Sequence, residues 1–459
     1  MSPLKKLPAI PQDRQPFVYL AAAGVLEFLF ITMVAIPAYL GYYLAETYLI
    51  VPCLLFLGYV LREKQTGFAR RRLLLAGLAV AWFFISQVQH KLSGMENQII
   101  TTVFGVYLLA FPFAALTDDR ENTGIRWIGR LLVAAALVLV GFSVILLLDM
   151  VPASWQEFLY WDGSRLTVFW HPNNSACYLM IGMGFGTALL MQAKKPLTRV
   201  LLALAVAVQF LAMALTNCRT TLLLTGALFG GLAFFRIFRG SWKQFVLGLL
   251  AAVLVLVGSF TLSGMLYQWN EDRILANIST LQEADTQDQP EAEAPYTVAA
   301  DGQVIMTTDN PQGTLLDDMS TLNGRTYIWK SALQAVRDNK TLALWGTEYI
   351  GTVVSVYNFF PVEHSHNSWM EVLLRSGIPG LLIALVFTGI CAVSAVKLLL
   401  NRETELWKKM IAMTTVCVMV TGFLEPYLFG GDAYYHAIDF VFFLGTGYLD
   451  YWSHQKKTP

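Results

Sequence analysis

The chain has 459 residues, of which 56% are hydrophobic and only 14% are charged. Soluble globular proteins carry about 25% charged residues, so this composition excludes an ordinary soluble domain and favours lipid as the solvent for most of the chain. The formal net charge of +0 gives no indication of nucleic-acid binding, and the five cysteines lie too far apart for a zinc site or a disulfide framework.

Apolar runs long enough to cross about 30 Å of hydrocarbon follow one another along the chain. The first comes after a short basic N-terminus and is interpreted as an uncleaved span rather than a signal peptide. The predicted spans are 17–38, 43–61, 73–89, 99–116, 131–149, 174–192, 200–215, 220–235, 244–264, 378–400, 410–428 and 437–452. The sequence therefore predicts an all-α integral membrane protein with about 12 transmembrane helices.

The distribution of Lys and Arg predicts the orientation. With the N-terminus in the cytoplasm, more than two thirds of the 32 Lys and Arg residues fall in cytoplasmic segments. Both termini are then cytoplasmic. The predicted organisation is nine transmembrane helices in 1–264, one large extracytoplasmic loop with short helices in 265–377, and three more transmembrane helices in 378–459.

The predicted loop contains two kinds of sequence. Residues 283–318 are acidic, contain proline and have few apolar side chains, which is typical of a disordered insert. Apolar residues at helical spacing then predict a helix that begins near Arg325. A second helix is predicted from about His366 toward Gly377, so this part of the loop presents ordered polar residues close to the membrane.

Polar residues adjoin apolar runs at four places. They are FWHPNN (169–174), TNCRT (216–220), NGRTYIW (323–329) and HSHNSW (364–369). The predicted topology puts all four on the extracytoplasmic side, whereas a random scatter would divide them between the two faces. This clustering predicts one functional site at the outer membrane surface.

The arginines and the tryptophan in these stretches have two interpretations each. Arg219, in a short turn between two spans, is either a cation at the lipid interface or an anion ligand whose planar donors match a phosphate. Arg325 is either a solvated helix-start residue or a second anion ligand. Trp329, on the same helical face as Arg325, is either a core anchor or a platform for a sugar ring.

The histidines have several possible roles. His366 is a candidate general base, metal ligand or interface residue, and the spacing of nearby carboxylates disfavours a metal. At a helix N-terminus its neutral, proton-accepting form is favoured, and Ser365 and Asn367 are placed to cap or orient it. His171, before Pro172, fits either a structural helix start or the same site.

Together these patterns resemble the O-antigen ligase and polymerase superfamily. His366 and Asn367 are followed by nine residues, Gly377, two residues and Gly380, as in that family's histidine motif. LTNCRT looks like the family's arginine turn, GRTYIW resembles the arginine that precedes its outer-loop helix, and HPNNSA is similar to the start of one of its middle spans. The acidic insert is a departure from the family pattern.

The resemblance implies a metal-independent, inverting glycosyltransferase that uses no cofactor. It implies that a glycan moves from undecaprenyl diphosphate to an acceptor hydroxyl at the outer face of the bacterial cytoplasmic membrane. By the same resemblance, Arg219 and Arg325 bind the diphosphate and His366 is the catalytic base, although His364 beside it is a rival for that role. Supporting, substrate-binding positions are His364, Asn367, Glu371, Asn173, His171 and Trp329.

Several functions remain open at this point. A ligase would use lipid A–core as acceptor, a polymerase another glycan repeat unit, and a third type a protein; the histidine motif favours the ligase. A different class is a flippase or transporter for lipid-linked oligosaccharide, because Glu27, Glu425 and Asp439 lie in or near apolar runs. An inert membrane scaffold is the remaining alternative.

Overall fold

The computed structural model describes residues 67–93, 122–152, 159–162, 165–168, 171–284, 296–298, 304–306, 325–347, 350, 364–429 and 436–455. Its helices are α1 (Gly67–Leu92), α2 (Thr123–Leu147), α3 (Pro172–Gln192), α4 (Pro196–Leu215), α5 (Arg219–Ile237), α6 (Trp242–Ala284), α7 (Arg325–Asp338), α8 (Lys340–Trp345), α9 (Ser368–Leu400), α10 (Leu406–Thr421) and α11 (His436–His454). Its strands are β1 (Leu159–Asp162), β2 (Arg165–Val168), β3 (Tyr296–Val298) and β4 (Val304–Met306).

The described chain is mostly helical and strongly apolar. Seven of its helices are long and apolar enough to cross a membrane, namely α1 to α6 and α9. The prediction of a helical membrane protein is confirmed at this level. The count of twelve spans and the cytoplasmic position of both termini stay predictions, and the predicted spans 17–38, 43–61 and 99–116 lie outside the described residues.

The other nine predicted spans coincide with described helices, and the largest differences in bounds concern α2, α6, α9 and α10. Helix α2 begins at Thr123, eight residues before its predicted start at 131. α6 continues to Ala284, about 20 residues beyond the predicted end, so at 1.5 Å per residue it extends well past the hydrocarbon. α10 ends at Thr421 rather than near 428, because an irregular segment follows it. α9 joins the predicted loop helix to the predicted span that starts at 378.

Helix α3 is the centre of the bundle. It is buried along nearly its whole length, and its small residues allow close approach of its neighbours. A methyl group added at Gly182 would meet Ala136 of α2 and Gln209 of α4, and one added at Gly184 would meet Thr414 of α10. Such close contacts between small residues are a common way for helices to associate in lipid.

The outer and inner helices differ in the side chains they present. Large apolar side chains are exposed on α4, α6 and the later half of α9, where they would contact lipid. By contrast, α10 and the described side chains of α11 are mostly buried inside the bundle. Their polar residues, such as Thr414 and Thr446, are therefore shielded from lipid.

A break at Gly377 divides α9 into two parts. Gly377 has φ 68° and ψ −173°, a conformation that residues with a side chain rarely adopt, and a Cβ there would meet the backbone of Leu344 in α8. Gly380 lies one turn beyond, where a Cβ would meet Ser376. The two glycines of the histidine motif thus permit the short helix 368–376 to turn into the apolar part of α9.

Two short hairpins interrupt the helical architecture and were not predicted. β1 pairs with β2 in antiparallel register, with Asp162 opposite Arg165. β3 pairs with β4 inside the insert 283–318, most of which lies outside the described residues, so the disorder of the insert stays a prediction. The sequence LYWDGSRLTV carries a Gly-containing turn between two short β-prone runs, which is a hairpin signal.

Candidate functional site

Side chains from distant parts of the chain converge on the carboxylate of Glu425, in the irregular segment 422–429 after α10. Arg325 Nη2 and Asn173 Nδ2 donate to Glu425 Oε1 over 2.8 Å and 2.9 Å. His366 Nδ1 lies 3.6 Å from the other oxygen, Oε2, which is an ion-pair distance rather than a hydrogen bond. The starts of α3, α7 and α9 therefore meet at one carboxylate.

Glu425 is buried, and its surroundings favour its charged form. Burial by itself raises the pKa of this carboxyl group, but the adjacent His366 imidazole and the Arg325 guanidinium more than offset that effect, and the net pKa is lowered. A carboxyl group with a lowered pKa is ionised at neutral pH and loses its charge only as the pH falls below the usual range for Glu. The site therefore contains a fixed negative charge between two nitrogen donors.

A second layer of contacts holds Asn173 in place. Arg165 Nη2 donates to Asn173 Oδ1 over 3.1 Å, and Arg165 Nε donates to the carbonyl oxygen of Thr216 over 3.1 Å. Arg165 also lies 3.8 Å from Asp162 across the hairpin. The β1–β2 hairpin thus connects Asn173 to the turn between α4 and α5.

His171 caps the helix that carries Asn173. Its Nδ1 accepts the backbone N–H of Asn173 over 3.2 Å, and Pro172 occupies the first turn. An acceptor nitrogen carries no proton, so the neutral His171 ring has its proton on Nε2. HPNN is therefore a helix start in the structure, and His171 lies close to Glu425; its role in substrate binding stays a prediction.

The loop that carries His366 is fixed by Glu371. The buried carboxylate of Glu371 accepts from the backbone N–H of Ser365 over 3.0 Å and from its hydroxyl over 2.8 Å, and Arg375 donates to the other oxygen. Trp329 Nε1 donates to the carbonyl oxygen of Ser365 over 3.0 Å. In this structure Glu371 and Trp329 position the loop from either side.

His366 has an uncommon backbone conformation. Its φ of 50° lies in the left-handed region, which costs a residue with a side chain about 1–3 kcal/mol. Asn367 follows it as the N-cap of α9 and accepts from the N–H groups of Trp369 and Met370. The cap and the Glu371 contacts hold His366 in this conformation, and its ring lies 4.2 Å from that of His364.

Helix α9 is also attached directly to the segment that carries Glu425. The backbone N–H of Ser368 donates to the carbonyl oxygen of Gly422 over 2.7 Å, and its hydroxyl donates to the carbonyl oxygen of Glu425 over 2.9 Å. Asn367 Nδ2 donates to the carbonyl oxygen of Phe423 over 2.9 Å. These contacts fix the position of His366 relative to Glu425.

Arg219 begins α5, directly after the turn that Arg165 contacts. Thr216 in this turn is buried, Asn217 has φ 47°, and Cys218 precedes the helix. Burial raises the pKa of the Cys218 thiol, and the negative charge of Glu425 raises it further. The backbone that carries Arg219 thus adjoins the Glu425 cluster; its role as a diphosphate ligand stays a prediction.

The structure brings most of the predicted residues together, although it does not test their roles. His366, Arg325 and Asn173 meet at Glu425, while His171, His364 and Asn367 adjoin them. Sequence reasoning missed Glu425 and Arg165 as parts of the site. A signal for Glu425 was present, because a carboxylate at the end of an apolar run, in TGFLEPYL, is costly unless it has partners.

The chemistry of the cluster suits an anionic ligand and a proton transfer. Arginine side chains supply planar donors that match phosphate oxygens, and an imidazole beside a carboxylate can accept a proton near neutral pH. Among the described residues, no group of three or more His, Cys, Asp and Glu side chains is arranged to hold a metal ion.

Comparison with known families gives one match. Residues 202–385 match the model of the family described as O-antigen ligase, a range that covers less than half of the chain. Comparisons with curated proteins and with solved structures gave no match. The matched range contains Arg219, Arg325 and His366, whereas Asn173 and Glu425 lie outside it. The resemblance of this chain to the O-antigen ligase superfamily is therefore confirmed over residues 202–385.

Proposed function

We propose that this protein is an O-antigen ligase-like glycosyltransferase of the bacterial cytoplasmic membrane. It moves a glycan from undecaprenyl diphosphate to an acceptor hydroxyl at the outer face of the membrane. The observation that carries this proposal is the convergence of Arg325 and His366 on Glu425, beside the turn that leads into Arg219. The match to the O-antigen ligase family over residues 202–385, which include Arg219, Arg325 and His366, supports it.

Arg219 and Arg325 are the proposed ligands of the diphosphate. When the bond between the anomeric carbon and the diphosphate oxygen breaks, the electron pair leaves with the diphosphate, whose negative charge increases. Fixed guanidinium groups stabilise that charge, and losing one such donor typically costs about 10²–10³ in rate. Arg325 uses Nη2 for Glu425, and its guanidinium carries further N–H groups that suit phosphate oxygens.

His366 is the proposed general base. Its ring accepts the proton of the acceptor hydroxyl while that oxygen forms the new bond to the anomeric carbon, on the side opposite the leaving diphosphate. Back-side attack of this kind inverts the anomeric configuration. A positioned base typically contributes about 10²–10⁴ in rate. His364, whose ring packs against that of His366, is the alternative base.

The remaining predicted residues have supporting roles in this proposal. His171 and Asn173 form the N-terminus of α3 at the site. Asn367 and Glu371 fix the loop that carries His366, and Trp329 lies beside that loop. The acceptor separates a ligase from a polymerase of the same superfamily, and the histidine motif favours the ligase. Each acceptor class therefore has to be offered separately.

The test is a transfer assay with purified protein in liposomes. The donor is the undecaprenyl diphosphate-linked glycan extracted from the membranes of the source cells. Lipid A–core, a short glycan repeat unit and a protein acceptor are offered in turn. The proposal predicts transfer to one acceptor without added metal, and a rate lower by about 10²–10⁴ with His366→Ala. Transfer by His366→Ala at the wild-type rate, or glycan movement across the bilayer without transfer, would contradict it.

A further inference from the structure

The mechanism proposed above gives no role to Glu425, although this residue is the common partner of the site. It receives two hydrogen bonds on Oε1 and faces His366 with Oε2. Its side chain is only 11% exposed, whereas the side chain of His366 is 34% exposed. The imidazole therefore has one edge against a buried carboxylate, packs against the ring of His364, and keeps about a third of its side-chain surface exposed.

The orientation of the ring decides which nitrogen is available for chemistry. Nδ1 of His366 is the atom that faces Glu425, and it is buried. A neutral imidazole has one N–H donor and one acceptor nitrogen, and a neighbouring carboxylate favours the tautomer whose N–H points toward it. With the proton on Nδ1, the acceptor nitrogen is Nε2, on the opposite side of the ring.

We propose that Glu425 is a positioning residue for the base: it keeps the proton of neutral His366 on Nδ1, leaves Nε2 to accept the proton of the acceptor hydroxyl, and stabilises the imidazolium that then forms. This inference rests on the proposed function. A carboxylate that acts on a catalytic histidine in this way has a well-known parallel in the Ser-His-Asp triad.

The surroundings of Glu425 are built to hold its carboxylate in one orientation. Asn173 donates to Oε1 and is itself held by Arg165, so Oε1 is occupied by fixed donors and Oε2 is left to His366. The carbonyl oxygen of Glu425 also accepts from Ser368. Both the backbone and the carboxylate are thus fixed relative to α9.

Several ionisable groups act on this pair, and each affects its pH dependence. His366 faces Glu425 and His364, and His171 is close enough to interact with both His366 and Glu425. Glu425 also faces Arg325 and adjoins Arg165 and Cys218. The positive neighbours favour ionised Glu425, which is the carboxylate that faces His366.

The first test reads the tautomer directly. Protein labelled with ¹⁵N in the imidazole rings of its six histidines is reconstituted in nanodiscs, and the His366 signals are assigned with His366→Asn. The expected result is a neutral ring with a protonated Nδ1, and a shift of the proton toward Nε2 in Glu425→Gln. A ring protonated on Nε2 in the wild type, or one unchanged by Glu425→Gln, would overturn the inference.

The second test uses the pH dependence of transfer. Gln keeps the shape of Glu and its hydrogen bonds to Arg325 and Asn173 but has no charge. In Glu425→Gln, we expect kcat to fall by about 10² or more, with a smaller change in KM. The acid limb of the pH–rate profile should move to lower pH, because the imidazolium has lost its counter-charge. A structural role alone would lower the amount of active protein without moving the profile.

The matched control is Glu405→Gln. Glu405 is the N-cap of α10, at the other end of the helix that leads to Glu425. Its side chain pairs with Lys408 and is more than half exposed. This variant should keep both kcat and the pH profile. Failure of the proposed function appears as transfer by His366→Ala at the wild-type rate. Failure of this inference appears as a His366→Ala variant slowed by about 10²–10⁴ together with a normal Glu425→Gln.

Discussion

The protein contains the same three side-chain types, an arginine, a carboxylate and a histidine, in two separate clusters. In the first, Arg325, Glu425 and His366 meet at the start of α9. In the second, Arg72 Nε donates to Asp450 Oδ2 over 2.8 Å, and His454 Nδ1 lies 3.1 Å from Asp450 Oδ1. Phe429, in the segment that carries Glu425, donates its backbone N–H to Asp439 near the start of α11, whereas Asp450 lies near the end of that helix, so the two clusters lie toward opposite ends of α11.

The two clusters differ in how they are assembled. Asp450 and His454 are one turn apart on the regular helix α11. Arg72 also donates to the carbonyl oxygen of Gly447 in the same helix. Both clusters join distant segments, 378 residues apart for Arg72 and Asp450 and up to 252 residues apart in the first cluster. Only the first cluster takes its carboxylate from an irregular segment and includes a histidine, His366, in a strained backbone conformation. Packing of two regular helices is enough to produce the relaxed second cluster, while strain held by surrounding contacts is more typical of a functional site.

The largest expected effect separates the two histidines. His366→Ala should reduce transfer by about 10²–10⁴, because it removes the proposed base. His454→Ala is the matched control and should leave the rate unchanged, since it removes the same side chain from the other cluster. Initial rates of transfer in liposomes, normalised to folded protein by size-exclusion chromatography, measure both. Equal effects of the two variants would mean that the first cluster is not the reaction site.

The second prediction concerns the stability of the second cluster. Arg72 and Asp450 are both buried, so Arg72→Met leaves a buried carboxylate without its arginine and should destabilise the protein by about 3–5 kcal/mol. Thermal unfolding in detergent measures the change. Glu405→Gln, which breaks the partly exposed pair with Lys408, is the control and should cost less than about 1 kcal/mol. A stable Arg72→Met protein would argue against a structural role for this cluster.

The third prediction tests arginine geometry at the first cluster. Arg219→Lys and Arg325→Lys keep the positive charge but lose the planar pair of donors, so each should slow transfer by about 10². Arg126→Lys, at an exposed contact with Gln192 near the other end of α3, should have no effect. If Arg219→Lys keeps a near-normal rate, Arg219 is an interface residue and not a diphosphate ligand.

The fourth prediction is a smaller effect at Asn173. Asn173→Ala removes the donor to Glu425 Oε1 and the acceptor for Arg165. Because Arg325 still donates to the same oxygen, we expect about a 10-fold loss of rate, roughly 1.4 kcal/mol, and an intact fold. Thr414→Ala is a control on α10 that lies away from Glu425. If Asn173→Ala keeps the wild-type rate and pH profile, Asn173 has no role in the reaction.

The smallest effect is expected for the acidic insert. Deleting residues 286–318 removes strands β3 and β4, which pair with each other, and keeps the residues of α6 and α7. Closure entropy changes by only about 0.6 kcal/mol for each doubling of loop length, so the fold should persist. The amount of protein in the membrane and its thermal midpoint measure this. A variant that fails to accumulate would show that the insert is structured and needed for folding.

The sequence was sufficient for those parts of the fold that depend on local pattern. Apolar runs predicted nine of the described helices, and helical spacing predicted that α7 begins near Arg325 and that a helix leads from His366 to Gly377. The histidine motif singled out Gly377 and Gly380. In the structure Gly377 turns the backbone against α8, whereas a Cβ at Gly380 would meet Ser376 and Phe83. The extension of α6 to Ala284 was missed, because hydropathy marks the end of the hydrocarbon and not the end of a helix.

The centre of the site was less predictable, because it depends on contacts between distant segments. Asn173 was included through the resemblance, but its link to Glu425 spans 252 residues and leaves no local pattern. Arg165 was not singled out, since its role depends on the β1–β2 hairpin, which was not predicted. Glu425 resembled an intramembrane carboxylate of a transporter until its partners were identified.

A cryo-electron microscopy map of the protein with undecaprenyl diphosphate bound would test the central claim most directly. We predict that the diphosphate lies between the guanidinium groups of Arg219 and Arg325, with the His366 ring facing the adjoining sugar position. A diphosphate bound more than about one helix diameter, ~10–12 Å, from both arginines would contradict the account.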